Sequence, residues 1–320
     1  MSPHVDGSVK VIRGYSHTMS ERQLPIDRRQ LLRIGAVGVS SLALARALSA
    51  CGGSDGASNS AAAGSDESLD GPISADMSIV QRWVPTELGV GFNRLPISLA
   101  SDGGLLQKGP AQLTGRVLNA TTAAVVAEGI VADRRSLGEG TIPFWVFTVN
   151  LPEPDIYALL VEGGPETGVA VQALDAADLV VVRPGDEMPA IDTPTVDDHR
   201  GVEPYCSRTP DPCPFHEVTL TEALASGKKV VFTVGTPAHC QTGVCAPVLE
   251  GMIDMAQRHS DVVFVHADVY ADDKGTEIAP TVADLGLTFE PITWVIGADG
   301  IITHRFEGVW HPDEIGSALL

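Results

Sequence analysis

The sequence predicts two domains of different class, an all-β sandwich over residues 74–188 followed by an α/β domain over residues 202–320. Three observations carry that division. Seven short β-type runs follow one another in the first segment, separated by turn residues and without a helical period of useful length. In the second, buried strand patterns alternate with amphipathic helical patterns. The change falls across residues 189–201, a polar connector with Pro189 and Pro194 and the run Asp197-Asp198-His199-Arg200-Gly201.

The β-type runs lie at 93–100, 112–118, 126–133, 143–150, 156–162, 168–173 and 179–183, with breakers such as Ser101-Asp102-Gly103-Gly104 and Glu162-Gly163-Gly164-Pro165 between them. Seven strands in this length fit an antiparallel sandwich of immunoglobulin-like kind. The segment contains neither Cys nor His, so metal chemistry and nucleophilic thiol chemistry are not expected in it, and its expected roles are spacing, docking or partner recognition. Trp145 and Tyr157 fall inside strand patterns and are expected in the core.

In the second segment, residues 218–225 read as a helix, 229–234 as a buried strand, 244–258 as a helix and 261–269 as a strand. A helical stretch at 278–285 follows, then strands at 292–296 and 301–306 joined at Ala298-Asp299-Gly300, and a short helix from Pro312. Strand–helix alternation ending in a hairpin and a helix indicates a sheet with helices on both faces.

The 320 residues are 44% hydrophobic and 19% charged, a balance that excludes a disordered chain. Acidic residues outnumber Lys plus Arg by 41 to 21, which argues against a nucleic-acid partner. The apolar stretch 34–45 is too short for a membrane-spanning helix. With Arg28-Arg29 before it and Leu48-Ser49-Ala50-Cys51 after it, residues 1–51 have the form of an export signal. The Arg pair followed by Leu-Leu resembles the twin-arginine type. Leu-Ser-Ala-Cys resembles a bacterial lipobox, which implies that Cys51 becomes the first mature residue and carries lipid. Met19-Ser20-Glu21 makes a more ordinary start for such a signal than Met1. Residues 52–73 are Gly-, Ser-, Ala- and Asp-rich and read as a flexible tether. Without residues 1–50 the net charge becomes −24, so the acid excess belongs to the exported part.

Of five Cys, Cys51 is taken by the lipobox and four remain, in a compartment where disulfides persist. Cys240 and Cys245 follow the buried strand and open the next helix, where free backbone N–H groups and the helix dipole lower a thiol pKa. His239, if protonated, would add to that effect. Cys206 and Cys213 bracket Ser-Arg-Thr-Pro-Asp-Pro, a stiff loop that a structural disulfide can close; a second redox pair relaying electrons to Cys240 is the alternative. His266 and His304 lie in strands and read as satisfied or solvent-facing imidazoles, and His259 closes a helix. No phosphate loop, zinc helix motif or nucleophile elbow is present, and neither a cofactor nor a metal is expected.

Residues 202–320 resemble a thioredoxin-fold domain. Cys240 and Cys245 match its redox pair, Glu290-Pro291-Ile292 its cis-proline loop, and Asp299-Gly300 with Gly308 the end of the fold. The resemblance implies that Cys240 attacks, that Cys245 resolves, and that a cis Pro291 faces the pair and shapes the substrate groove. Together with the lipobox and tether, the order resembles that of membrane-anchored bacterial thioredoxin-like proteins. The implied activity is thiol–disulfide exchange with exported proteins, drawing on an electron donor or acceptor, at the outer face of the cytoplasmic membrane, with the lipid anchor in the bilayer. The spacing departs from the usual two intervening residues, since Gln241, Thr242, Gly243 and Val244 separate the pair. His239 stands where the family has Trp, and Glu290 would oppose thiolate formation nearby.

Two other classes share these features. A Sco-type copper chaperone uses two Cys and a His before the last hairpin; Phe289 or Glu290 occupies that place, which leaves His239 as the substitute ligand. A non-catalytic scaffold lipoprotein would use both Cys pairs as staples. A peroxiredoxin is disfavoured because Pro237 lies three residues before Cys240, where a Thr is needed.

Overall fold

A computed structural model describes residues 73–102 and 104–320. The export signal, Cys51 and nearly all of the tether lie outside the described residues.

The first half is antiparallel β-structure: β1 (Ser78–Gln81), β2 (Gly91–Ser101), β3 (Gly104–Leu105), β4 (Gln112–Asn119), β5 (Val125–Arg135), β6 (Phe144–Leu151), β7 (Asp155–Val161) and β8 (Val169–Ala173). Period-2 alternation sets the inward face. In β6, Phe147, Val149 and Leu151 are buried while Thr148 and Asn150 face out. The strands form a single hydrogen-bonded path, β1-β2-β6-β5-β4-β7-β8, with β3 on β2. Among the described residues, two separate sheets, as in the immunoglobulin-like arrangement expected, are not present. The reason lies in β5, which pairs with β4 along most of its length and with β6 only through Arg134 and Arg135. Register shifts at Gly115/Val117 and Val117/Leu118 mark the other end of the β4–β5 pairing. Both halves of the sheet line one core, with Leu95, Ile97, Trp145 and Phe147 packed in the same cluster as Val117, Tyr157, Leu159 and Val171. Trp145 and Tyr157 are thus core residues, as expected.

The second half has a four-stranded sheet, β9 (Val230–Val234), β10 (Val263–Ala267), β11 (Ile292–Ile296) and β12 (Ile302–Glu307), in the order β10-β9-β11-β12. β10 runs parallel to β9, and β11 and β12 are antiparallel. Four helices flank it: α1 (Leu220–Ala225), α2 (Cys245–Ala256), α3 (Pro280–Asp284) and α4 (Pro312–Ala318). A Thr219/Glu222 capping box starts α1, and Pro312 starts α4. Alternation along β9 divides the core into two layers. Phe232 and Val234 pack with α1 and α3, whereas Val231 packs with Val248, Met252 and Ile315 of α2 and α4. This strand order with helices on both faces is the thioredoxin-like arrangement that the Cys and Pro motifs implied.

The expected boundary between the halves is displaced. Residues 179–183 do not form a seventh sandwich strand; Val181 is buried in the second core, with Met188 and Ile191. Their backbone is held by side chains of the second half, Arg305 donating to the carbonyls of Val181 (2.9 Å) and Val182 (3.3 Å), and Trp294 Nε1 to Val182 (3.1 Å). A β-rich run is here used as a strap. The same Arg305 donates to the Glu87 carbonyl at 2.9 Å and pairs with Glu307 at 2.6 Å, while Arg94 of β2 pairs with Glu314 of α4 at 2.8 Å. These contacts of Arg305 and Arg94 join the two halves.

Candidate active site

β9 is buried along its whole length and is followed by Gly235. A Cβ at Gly235 would lie 3.2 Å from Pro291 Cβ and 3.7 Å from Cys245 Sγ, so the absence of a side chain lets the turn pass between them. The Glu290–Pro291 peptide is cis, and Gly235 approaches both Pro291 and Cys245. Residues 236–244 then cross to α2. Gly243 takes φ +68°, which turns the chain back and closes the four-residue spacer.

Cys245 is the first residue of α2 and is buried; Cys240 is half-buried, ahead of the helix. Val244 at the N-cap offers no side-chain acceptor, so the first helical N–H groups are left for another partner. Cys240 Sγ takes that place, accepting from the Cys245 N–H at 3.3 Å and lying 3.3 Å from Thr242 Oγ1. The Cys245 thiol beside it, then Thr242 and the amides of Cys245 and Val244, bring the Cys240 pKa down to about 4 against the opposing effect of burial. Cys245 is pushed strongly upward, first by its hydrogen bond to Cys240, then by burial and the charge of Glu290. Its thiol donates to Glu290 Oε2 at 3.1 Å, and the same oxygen accepts from the Thr236 N–H at 3.0 Å. Burial raises the Glu290 pKa in turn. Two thiols with pKa values driven apart have the properties of an attacking and a resolving sulfur.

The β-half contributes two residues that the sequence does not single out. Arg82, just after β1, interacts electrostatically with Cys240, although its own pKa is lowered by burial. Phe144 of β6 joins Val244 and Val309 in an apolar cluster against which Cys240 packs. The β-half is therefore part of the site and not only a spacer.

No family model matches the chain, and no curated protein does. Among solved structures it is similar to a candidate thiol:disulfide interchange protein DsbE from Chlorobium tepidum, at 15% identity and a TM-score of 0.31, covering 43% of this chain and 99% of that one. A thioredoxin-family thiol:disulfide interchange protein from Chlorobium tepidum TLS matches with the same identity, TM-score and share of this chain, over 95% of its own length.

His239, adjacent in sequence to Cys240, has a defined place of its own. Its ring packs edge-on against Tyr270, with centroids 5.5 Å apart, and beside Gly275. The largest effects on the Cys240 sulfur that lower its pKa come from Cys245, Thr242 and the helix amides. The carboxylate of Glu290 occupies the third position beside the pair. A set of Cys, Cys and carboxylate is a poor match for Cu(I).

Cys206 and Cys213, like Cys240 and Cys245, stand as free thiols in this structure. Both are buried in a polar pocket with His216 and His266. Cys213 Sγ lies 3.5 Å and Cys206 Sγ 3.9 Å from His266 Nδ1, and the Cys213 N–H donates to Cys206 Sγ at 3.4 Å. The pocket comes together because His266 projects from β10 toward the 206–216 loop, fifty residues away from His216 in sequence.

Proposed function

We propose that the protein is a thiol–disulfide oxidoreductase that exchanges disulfides with exported proteins, held by lipid on Cys51 at the outer face of the cytoplasmic membrane. The observation that carries the activity is the asymmetry of the pair: a half-exposed Cys240 held as thiolate by the start of α2, against a buried Cys245 whose thiol donates to Glu290. In the reducing direction the Cys240 thiolate attacks a substrate disulfide; one substrate sulfur bonds to Cys240 and the other leaves as thiolate. The Cys245 thiol then passes its proton to the Glu290 carboxylate and attacks Cys240 Sγ, which releases the second substrate thiolate and forms the Cys240–Cys245 disulfide. An external dithiol regenerates the reduced pair, and the oxidising direction is the same sequence in reverse. Beside the pair a cavity of about 340 Å³, lined by Gln241, Thr242, Tyr270, Ile278, Phe289 and Glu290, offers a groove for an extended polypeptide. Support for the location comes from the lipobox and twin-arginine patterns.

The test is redox titration of the full chain against glutathione, together with the Cys245→Ser variant. The proposal expects a reducible Cys240–Cys245 bond and accumulation of mixed disulfides on Cys240 in the variant. A bond that native-state glutathione leaves intact, with no mixed disulfide in the variant, would overturn it in favour of a scaffold.

A further inference from the structure

Outside the candidate active site, the structure gathers four soft or borderline metal donors that the proposed chemistry does not use. Cys206, Cys213, His216 and His266 are each no more than 4% exposed, and their donor atoms all lie within 4.8 Å of one another. We propose that these four residues bind one zinc ion.

The interatomic distances carry the proposal. A tetrahedral zinc with Zn–N of about 2.05 Å and Zn–S of about 2.3 Å requires edges of about 3.3 Å between nitrogens and about 3.6 Å between nitrogen and sulfur. His216 Nε2 and His266 Nδ1 are 3.3 Å apart, and the two sulfurs lie 3.5 Å and 3.9 Å from His266 Nδ1. The outer contacts of the rings are independent evidence. His266 Nε2 faces the Gly235 carbonyl at 3.0 Å and His216 Nδ1 faces the Pro194 carbonyl at 3.2 Å. A carbonyl can only accept, so each ring donates a proton to that contact, and the neutral form of each then presents a lone pair to the pocket. Zinc-bound histidines are oriented by outer contacts of this kind. Two lone pairs facing each other at 3.3 Å repel unless a proton or a metal cation lies between them; of the two, a metal also uses the two neighbouring sulfurs, which complete a Cys₂His₂ donor set. With four protein ligands and no open position, the site is structural. Its loop reaches the redox turn: Ser207 Oγ accepts from the Ala238 N–H at 3.2 Å, and Gly235 follows β9. Zinc would fix the support beneath the turn that carries Cys240.

The experiment uses the purified full chain, reduced under anaerobic conditions, freed of metal and titrated separately with Zn²⁺ and Co²⁺. The expected result is one zinc retained per chain through dialysis, and a cobalt spectrum with tetrahedral bands and charge transfer from two thiolates. Cys213→Ser and His216→Ala are expected to weaken zinc binding at least tenfold, while the Cys240→Ser/Cys245→Ser double variant keeps it. The cobalt spectrum of the unaltered chain decides the matter if those variants fail to fold. Reduced chain that takes up no zinc, a Cys206–Cys213 disulfide that persists under the same reduction, or zinc that is lost in the Cys240→Ser/Cys245→Ser variant would each overturn the proposal.

Discussion

The sharpest consequence of the site is the pH dependence of Cys240 reactivity. An ordinary thiol with a pKa of 9.0 is ionised to roughly one part in a hundred at pH 7 and one in ten thousand at pH 5. Cys240, with its pKa of about 4, is almost wholly thiolate at both values. The gain is partly offset, because nucleophilicity falls with basicity along a Brønsted slope of about 0.4–0.5, which over five units weakens each thiolate by about 100- to 300-fold. At pH 7 the two effects nearly cancel, and Cys240 should alkylate at about the rate of an ordinary thiol. At pH 5 the ionised fraction dominates, and Cys240 should react about 30- to 100-fold faster than one. The assay is iodoacetamide labelling of the fully reduced chain, followed for the Cys240 peptide by mass spectrometry from pH 3 to 9. Between pH 5 and 8 the rate should be flat, with half the plateau at a pH of about 4. Cys245→Ala removes the largest cause of the depression and should move the midpoint upward. The sign for the reduced fold follows: its gain from ionised Cys240 is full above 9.0, shrinks as pH falls and is gone below about 4. A rate that climbs tenfold per unit from pH 6 to 8 would refute the depressed pKa and with it the division of labour between the sulfurs.

The other two residues around the pair make separate predictions. Arg82→Met should raise the Cys240 midpoint, since a nearby cation favours the thiolate; an unchanged labelling profile would show that Arg82 does not act on the sulfur. Glu290→Gln removes the proton acceptor for Cys245 and should lengthen the lifetime of a Cys240 mixed disulfide by about 100-fold at pH 7, read by acid quench, while initial attack is spared. Equal slowing of both steps would mean that Glu290 acts only through the fold.

Much of the second half was legible because its signals are local. A five-residue apolar strand, two Cys at the following helix start and an X-Pro loop are contiguous patterns, and each falls where the motifs placed it. What was not legible depends on distant chain. Arg82 follows a strand of four residues and Phe144 begins an ordinary amphipathic strand; only the docking of the β-half onto Val244 and Val309 gives either a role. His266 sits in a β10 pattern that suits a bland core histidine, and nothing in the sequence pairs it with a His fifty residues earlier. The Leu-Val-Val-Val-Arg run at 179–183 has strand composition, but side chains take its carbonyls and a ladder does not form. The other β-type runs coincide with β2 and with β4 to β8, because alternation reports burial on one face. Alternation carries no information on partners, and so the sharing of β5 between β4 and β6 could not be read from it.

The strap at 179–183 belongs to the folding unit of the second half, and the claim can be tested by truncation. A chain beginning at residue 202 would lack Val181, Met188 and Ile191, which are 2%, 3% and 7% exposed in the second core. Each fully buried side chain of this kind contributes about 1.5–3 kcal/mol, so their removal costs on the order of 5–9 kcal/mol. A domain's whole stability is about 5–15 kcal/mol. The loss also strips acceptors from Trp294 Nε1 and from one end of Arg305, whose side chain is 6% exposed and stays beside Glu307. The fragment 202–320 should therefore be largely unfolded in urea-free buffer by near-ultraviolet circular dichroism. A chain beginning at residue 179 should recover native signal, because it restores the three apolar groups and both carbonyls. It should still show a higher Cys240 midpoint, since Arg82 is missing. If 202–320 unfolds at the same urea concentration as the full chain, the strap is ornamental, and the thioredoxin-like half stands as an independent domain with the boundary its sequence composition first suggested.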